Sequence, residues 1–230
     1  MLAALVLSLA ASSAVCTVGS PTLGAPSARA RSVAPAAASA TADASRDEAL
    51  EKLWNGGEAF KDFLDRAKAR RELWLKNYEV APPDELVARA AAVGGTWRLL
   101  VVAVDGCSDS ANSVPHIARL VEKVPGLELR VVSPTDGRAV MEAHRTPDGR
   151  AATPTIVLLD ASFAEAGCWI ERPSELQKLM TDAKAKSSDG DVFSTKMKWY
   201  EENRGRAALG EIVEVLEGAA AGTPRCASST

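Results

Sequence analysis

Leu99-Leu100-Val101-Val102-Ala103-Val104 is an unbroken apolar run rich in β-branched residues. With no polar residue alternating along it, the run has the pattern of a strand buried on both faces of a sheet. After Asp105-Gly106 comes Cys107, and residues 108–124 then show helical spacing through Val114, Ile117, Leu120 and Val121. A thiol therefore sits where a central strand hands over to a helix.

The flanking segments supply the rest of an α/β layout. Pro82-Pro83 ends an upstream segment, and residues 84–93 read as a short helix closed by Gly94-Gly95. Downstream, 127–132 reads as a strand, 137–144 as a short helix, 155–159 and 166–170 as strands, and 173–184 as a helix. The order is βαβαββα. Residues 45–80 carry apolar residues at three-and-four spacing, including Leu50, Trp54, Phe60, Phe63, Trp74 and Tyr78, and form an N-terminal amphipathic helix that Gly56-Gly57 can break. A last helical pattern runs from 191 to 217, interrupted by Gly205 and Gly210, and 218–230 returns to small residues and is expected to be disordered.

The first stretch, 1–20, begins with an apolar, uncharged run that ends in small and polar residues, the pattern of a signal peptide lacking its positive n-region. It is too short to span a bilayer. Residues 21–44, dominated by Ala, Ser, Thr, Pro and Gly, read as a flexible tether. The expected location is therefore outside the cytoplasm, periplasmic or extracellular. Lipidation at Cys16 is the less favoured alternative, because Ser13-Ala14-Val15 lacks the usual leucine three positions back and a small residue just before the cysteine. A formal net charge of -3 in 230 residues provides no basic field for nucleic acid. Removal of the leader leaves Cys107, Cys168 and Cys226, an odd number, so at least one thiol has no partner within the molecule.

Backbone N–H groups and the positive end of the helix dipole face a cysteine in the first turn of a helix, and both favour thiolate over thiol. Ser110, one helical turn on, is placed so that its hydroxyl can donate a hydrogen bond to the Cys107 sulfur. Asp105 and Asp109 act in the opposite direction, and the sequence leaves the balance open. Pro115 lies inside the helix, where it bends the axis. His116 and His144 are isolated, with no C-x-x-C or H-x-x-x-H spacing, so no metal or other cofactor is expected.

These motifs, in this order, resemble the thioredoxin superfamily, and more closely its bacterial exported members with a W-C-x-D-C segment, a late Pro before a strand and a Trp-x-x-Arg-Pro element. Here they read Gly106-Cys107-Ser108-Asp109-Ser110, Thr153-Pro154 and Trp169-Ile170-Glu171-Arg172-Pro173, with Lys198-Trp199-Tyr200 and Gly205-Arg206 resembling the C-terminal helix. The likeness covers 73–217. It implies a thioredoxin-like fold over 81–217, a central mixed sheet flanked by helices, with extra N-terminal and C-terminal helices. It also implies a cis-proline at Pro154 facing Cys107.

On this resemblance Cys107, Ser110 and Pro154 form the catalytic set, and Gly106, Thr153, Trp169 and Arg172 contact substrate. Three positions depart from the family. Gly106 replaces the tryptophan, Ser110 replaces the second cysteine, and Val101 stands where many thioredoxins carry a buried aspartate. A Cys107–Ser110 pair cannot cycle as a dithiol.

The expected activity is that of a monothiol C-x-x-S oxidoreductase or isomerase. Cys107 forms a mixed disulfide with protein or small-molecule thiols and disulfides, and an outside thiol resolves it. Cys168 is a candidate resolving thiol, although a buried small hydrophobe is the simpler reading of that residue. The alternative function is a redox-inactive thioredoxin-fold module that binds peptides or serves as a scaffold.

Overall fold

In the computed structural model, residues 36–184 and 189–227 are described, with side chains described from 43 to 184 and from 191 to 227. The leader 1–20, Cys16 and most of the tether lie outside the described residues. Helix α1 (Ala36–Gly56) begins inside the stretch expected to be a tether. Alanine has the highest intrinsic helix preference, and the alanines of 36–44 lead directly into the amphipathic segment.

The segment 45–80 is three helices rather than one. After α1 the chain makes a two-residue strand β1 (Glu58–Ala59), then α2 (Phe60–Arg66) and α3 (Arg71–Tyr78). The break falls at Gly57, where a Cβ would lie 3.1 Å from the Arg130 side chain, too close for comfort in the approach of β1 to the sheet. The elements α4 (Asp84–Val93), β2 (Trp97–Val102), α5 (Ser108–Lys123), β3 (Leu127–Val132), α6 (Arg138–Ala143), β4 (Thr155–Leu159), β5 (Glu165–Ile170) and α7 (Ser174–Lys184) follow the expected βαβαββα order.

The C-terminal helical pattern is divided into α8 (Asp189–Asn203) and α9 (Arg206–Ala220). Gly205 separates them at φ +79, where a Cβ would lie 2.3 Å from the His116 ring. Both the left-handed backbone and the contact require glycine. Residues 225–227, expected to be disordered, form strand β6 (Arg225–Ala227). Small residues gave no burial signal there, but the ladder to β5 supplies the backbone hydrogen bonds and a disulfide fastens the strand.

The six strands lie in the order β1-β3-β2-β4-β5-β6. The pairs β2–β3 and β5–β6 are parallel, and the other three are antiparallel. The domain thus extends beyond 81–217 in both directions, since β1 and β6 are its edge strands. On one face Leu99, Val101, Ile156, Leu158 and Trp169 pack beneath α5 and α9 together with Phe63 and Trp74. On the other, Leu100, Val102, Val157 and Leu159 meet Leu50 and Trp54 of α1 and Val140 and Met141 of α6. Burial on both faces accounts for the unbroken apolar run in β2. Among the described residues no helix is long and apolar enough to cross a membrane.

Candidate active site at the β2–α5 turn

Cys107 caps the N-terminus of α5 with extended backbone, φ -79 and ψ 125, and its sulfur accepts the Ser110 backbone N–H at 3.5 Å. An N-cap side chain relieves one of the helix's unpaired donors, here with sulfur in place of the usual oxygen. The Cys107 thiol in turn donates to the Thr153 carbonyl at 3.2 Å. The Thr153–Pro154 bond is cis, and Glu171 N donates to the Pro154 carbonyl at 2.7 Å, tying this loop to the end of β5. Cys107 is partly exposed, whereas Pro154 and the first turn of α5 are buried.

The Ser110 hydroxyl does not reach the sulfur. Its contact with Cys107 is through the backbone, and Ser110 Oγ is fully buried with no hydrogen-bond partner. Gly106 is exposed, and a Cβ there would meet only the Ala69 Cβ at 3.8 Å, so the family's tryptophan position stands open at the surface.

The two aspartates flanking Cys107 have other work. Asp105 Oδ2 accepts the backbone N–H groups of Lys68 and Ala69, both at 2.9 Å, and these bonds hold its carboxyl below the usual carboxylate range. The loop between α2 and α3 is thereby fixed beside the thiol, with Arg70 Nε donating to the Gly106 carbonyl at 2.7 Å and Trp74 Nε1 to the Asp105 carbonyl at 2.9 Å.

Asp109 is buried and carries a network. Tyr200 OH donates to Oδ1 at 2.8 Å, Lys196 Nζ donates to Oδ2 at 3.0 Å, and Arg172 Nη2 lies 3.4 Å from Oδ2. Lys196 also donates to Ser108 Oγ at 2.9 Å. Burial, and then the Asp109 carboxylate, raise the Tyr200 phenol well above its ordinary value. The negative charge next to Cys107 is therefore compensated by two cations, and α8 is bound to the first turn of α5. Sequence reasoning missed Lys196; the signal available was its i,i+4 spacing to Tyr200, which puts both residues on one helix face.

Besides that of the Ser110 hydroxyl, three sequence-assigned roles change. Trp169 is fully buried under α9, with Nε1 donating to Glu211 at 2.6 Å, so it belongs to the core and cannot touch substrate. Arg172 is buried as well, held by Asp109 and Glu171, and braces the site from within. Cys168 is bonded to Cys226 and only 1% exposed. It pairs with Val157, which packs on the face away from α5, so it is not placed to resolve a Cys107 mixed disulfide. Cys107 is the free cysteine among the described residues.

His116, one place after Pro115 in α5, is also buried, and burial followed by the nearby Arg204 charge lowers it from 6.5 to about 4. It is a neutral packing partner of Gly205, not a surface group.

The family described as Thioredoxin matches residues 57–184. An HIV epitope-scaffold crystal structure is similar at 19% identity, with TM-score 0.57, over 73% of this chain and 97% of that chain. A protein of unknown function from Pseudomonas aeruginosa is similar at 21% identity, with TM-score 0.57, over 73% of this chain and 96% of that chain. At these identities the likeness shows the fold alone. No curated protein matches the chain.

Proposed function

The chain belongs to the thioredoxin family, and from that membership we propose that it carries out thiol–disulfide exchange through Cys107 alone. The observation that carries this reading is the position of that sulfur. It is unpaired, partly exposed, at a helix N-cap, and 3.2 Å from the carbonyl before a cis-proline.

The Cys107 thiolate attacks one sulfur of a partner disulfide. The partner S–S bond breaks, its second sulfur leaves as thiolate, and a mixed disulfide forms on Cys107. An outside thiolate then attacks the mixed disulfide and releases Cys107 as thiolate, so the cycle makes no net demand for electrons. As the attacking sulfur gives up its proton, the hydrogen bond to Thr153 is lost, while the Ser110 N–H remains directed at the anion. The Cys168–Cys226 bond supports an oxidising location, in keeping with an exported chain.

The test is trapping with an aromatic disulfide that releases a coloured thiolate. In a Cys16→Ser background, one equivalent released by the chain that keeps Cys107, and none once Cys107→Ser is added, is the expected result. Equal release by both proteins overturns the reading in favour of a peptide-binding module. Ser110→Cys sharpens the test, because the added thiol should resolve the mixed disulfide internally and release a second equivalent.

A further inference from the structure

At the far edge of the sheet, the sulfurs of Cys168 and Cys226 and a ring nitrogen of His144 all lie within 4.8 Å of one another. They come from three separate elements. Cys168 is in β5, Cys226 faces it across the parallel ladder in β6 with a Cα–Cα distance of 4.3 Å, and His144 follows the last residue of α6. Glu165, at the start of β5, places Oε1 3.3 Å from His144 Nε2 and is also paired with Arg46. A disulfide that only fastened a terminal strand would have no need of an imidazole held against it by a carboxylate.

We propose that this edge is a redox-gated metal site, taking a thiophilic transition-metal dication, with Zn2+ the fitting ion, once the Cys168–Cys226 bond is reduced. Two thiolates and one imidazole form the ligand set that borderline-soft d10 ions favour, and three protein ligands leave a fourth position for water. Glu165 is the positioning residue. Its Oε1, 3.3 Å from His144 Nε2, holds the ring at the edge beside the two sulfurs.

The gate is the disulfide itself, since neither sulfur carries the thiolate charge while the bond is intact. An external dithiol opens it. One of its thiolates attacks Cys226, which is partly exposed where Cys168 is buried, and Cys168 leaves as thiolate. The second thiol of the reductant then displaces Cys226, closing its own disulfide, so the protein gains two electrons and two protons. Metal binding releases those two protons and leaves a neutral centre of two thiolates and one dication.

Zn–S bonds of about 2.3 Å at tetrahedral angles put two sulfurs roughly 3.8 Å apart. The three-residue strand β6 is the sheet's edge and can yield by that amount. Occupied, the metal replaces the covalent link between β5 and β6.

The test uses the full chain in a Cys16→Ser, Cys107→Ser background, so that the pair supplies the only cysteine sulfurs. The protein is reduced with a phosphine, which ends as phosphine oxide, and titrated with Co2+ and then Zn2+, with far-UV circular dichroism verifying the fold. The expected result is one Co2+ per chain with thiolate-to-cobalt charge-transfer and tetrahedral d–d absorption, displaced by Zn2+, and no such signal before reduction. Adding Cys226→Ser should abolish the charge-transfer signal of the pair, and His144→Ala or His144→Asn should weaken binding at least about tenfold. The proposal is overturned if the folded chain yields no thiols to the phosphine, if the reduced chain binds Co2+ no better than the Cys226→Ser form, or if both His144 variants bind as tightly as the parent.

Discussion

Cys107 and the Cys168–Cys226 pair lie on opposite faces of one sheet, and their settings differ in almost every respect. Cys107 stands at the mouth of a strand-to-helix turn, with its sulfur among backbone groups and its neighbouring charge, Asp109, matched by Lys196 and Arg172. Cys168 and Cys226 face each other at the sheet's edge, with an imidazole beside them. One region leaves a sulfur free to meet a partner from outside, and the other satisfies two sulfurs internally. The same residue type is thus reactive or structural according to whether topology places a second sulfur within bonding reach.

That division can be broken most forcefully at the edge. Cys226→Ser opens a cross-link between positions 58 apart in sequence, and on a chain-entropy account it should cost about 4 kcal/mol in denaturant unfolding. Release of thiolate at Cys107 should stay at one equivalent. A loss of both stability and release would mean that the two regions are coupled.

Asp109→Ala tests the other side. It leaves the half-buried Lys196 ammonium without its carboxylate and should cost about 2 kcal/mol, because a cation held in a mostly desolvated place without its partner is the larger part of the penalty. Adding Lys196→Met should restore much of that loss. Restoration by Lys196→Met of none of it would remove the network from the account of how α8 is held.

A pH effect comes next. His116 is lowered from 6.5 to about 4, so the unfolded chain binds a proton that the folded chain refuses. Stability from this group is fully present above 6.5 and falls as pH drops toward 4, with about 2 kcal/mol gone by pH 5. His116→Gln should flatten that limb of the stability profile. The smallest effect is expected for Gly106→Trp, within about 0.5 kcal/mol, because the position faces open space. A large loss there would show that the turn beside Cys107 is closed to side chains.

Much of the sheet could be read in advance because β2 and β4 carry the apolar runs 99–102 and 156–159, and α4 and β3 fall on the expected residues. The short strands β1 and β6 were not legible. Two or three residues carry no periodicity, and their backbones are extended only because β3 and β5 offer ladder partners. Within the site, Cys107 and the cis Thr153–Pro154 bond were signalled by motif and order. Trp169 and Arg172 were misjudged because motif position reveals nothing about whether a side chain points to solvent or into the core.

By itself the sequence determined the alternation of buried strands and helices, the thiol at the β2–α5 turn, and the lack of a second thiol at Ser110, since each is written in local pattern or residue identity. Only the tertiary structure decided that Cys168 pairs with Cys226, that His144 joins them, and that Asp109 draws Lys196, Tyr200 and Arg172 together. These are meetings of residues tens of positions apart, fixed by strand order and helix packing, and no local pattern encodes which distant side chain arrives.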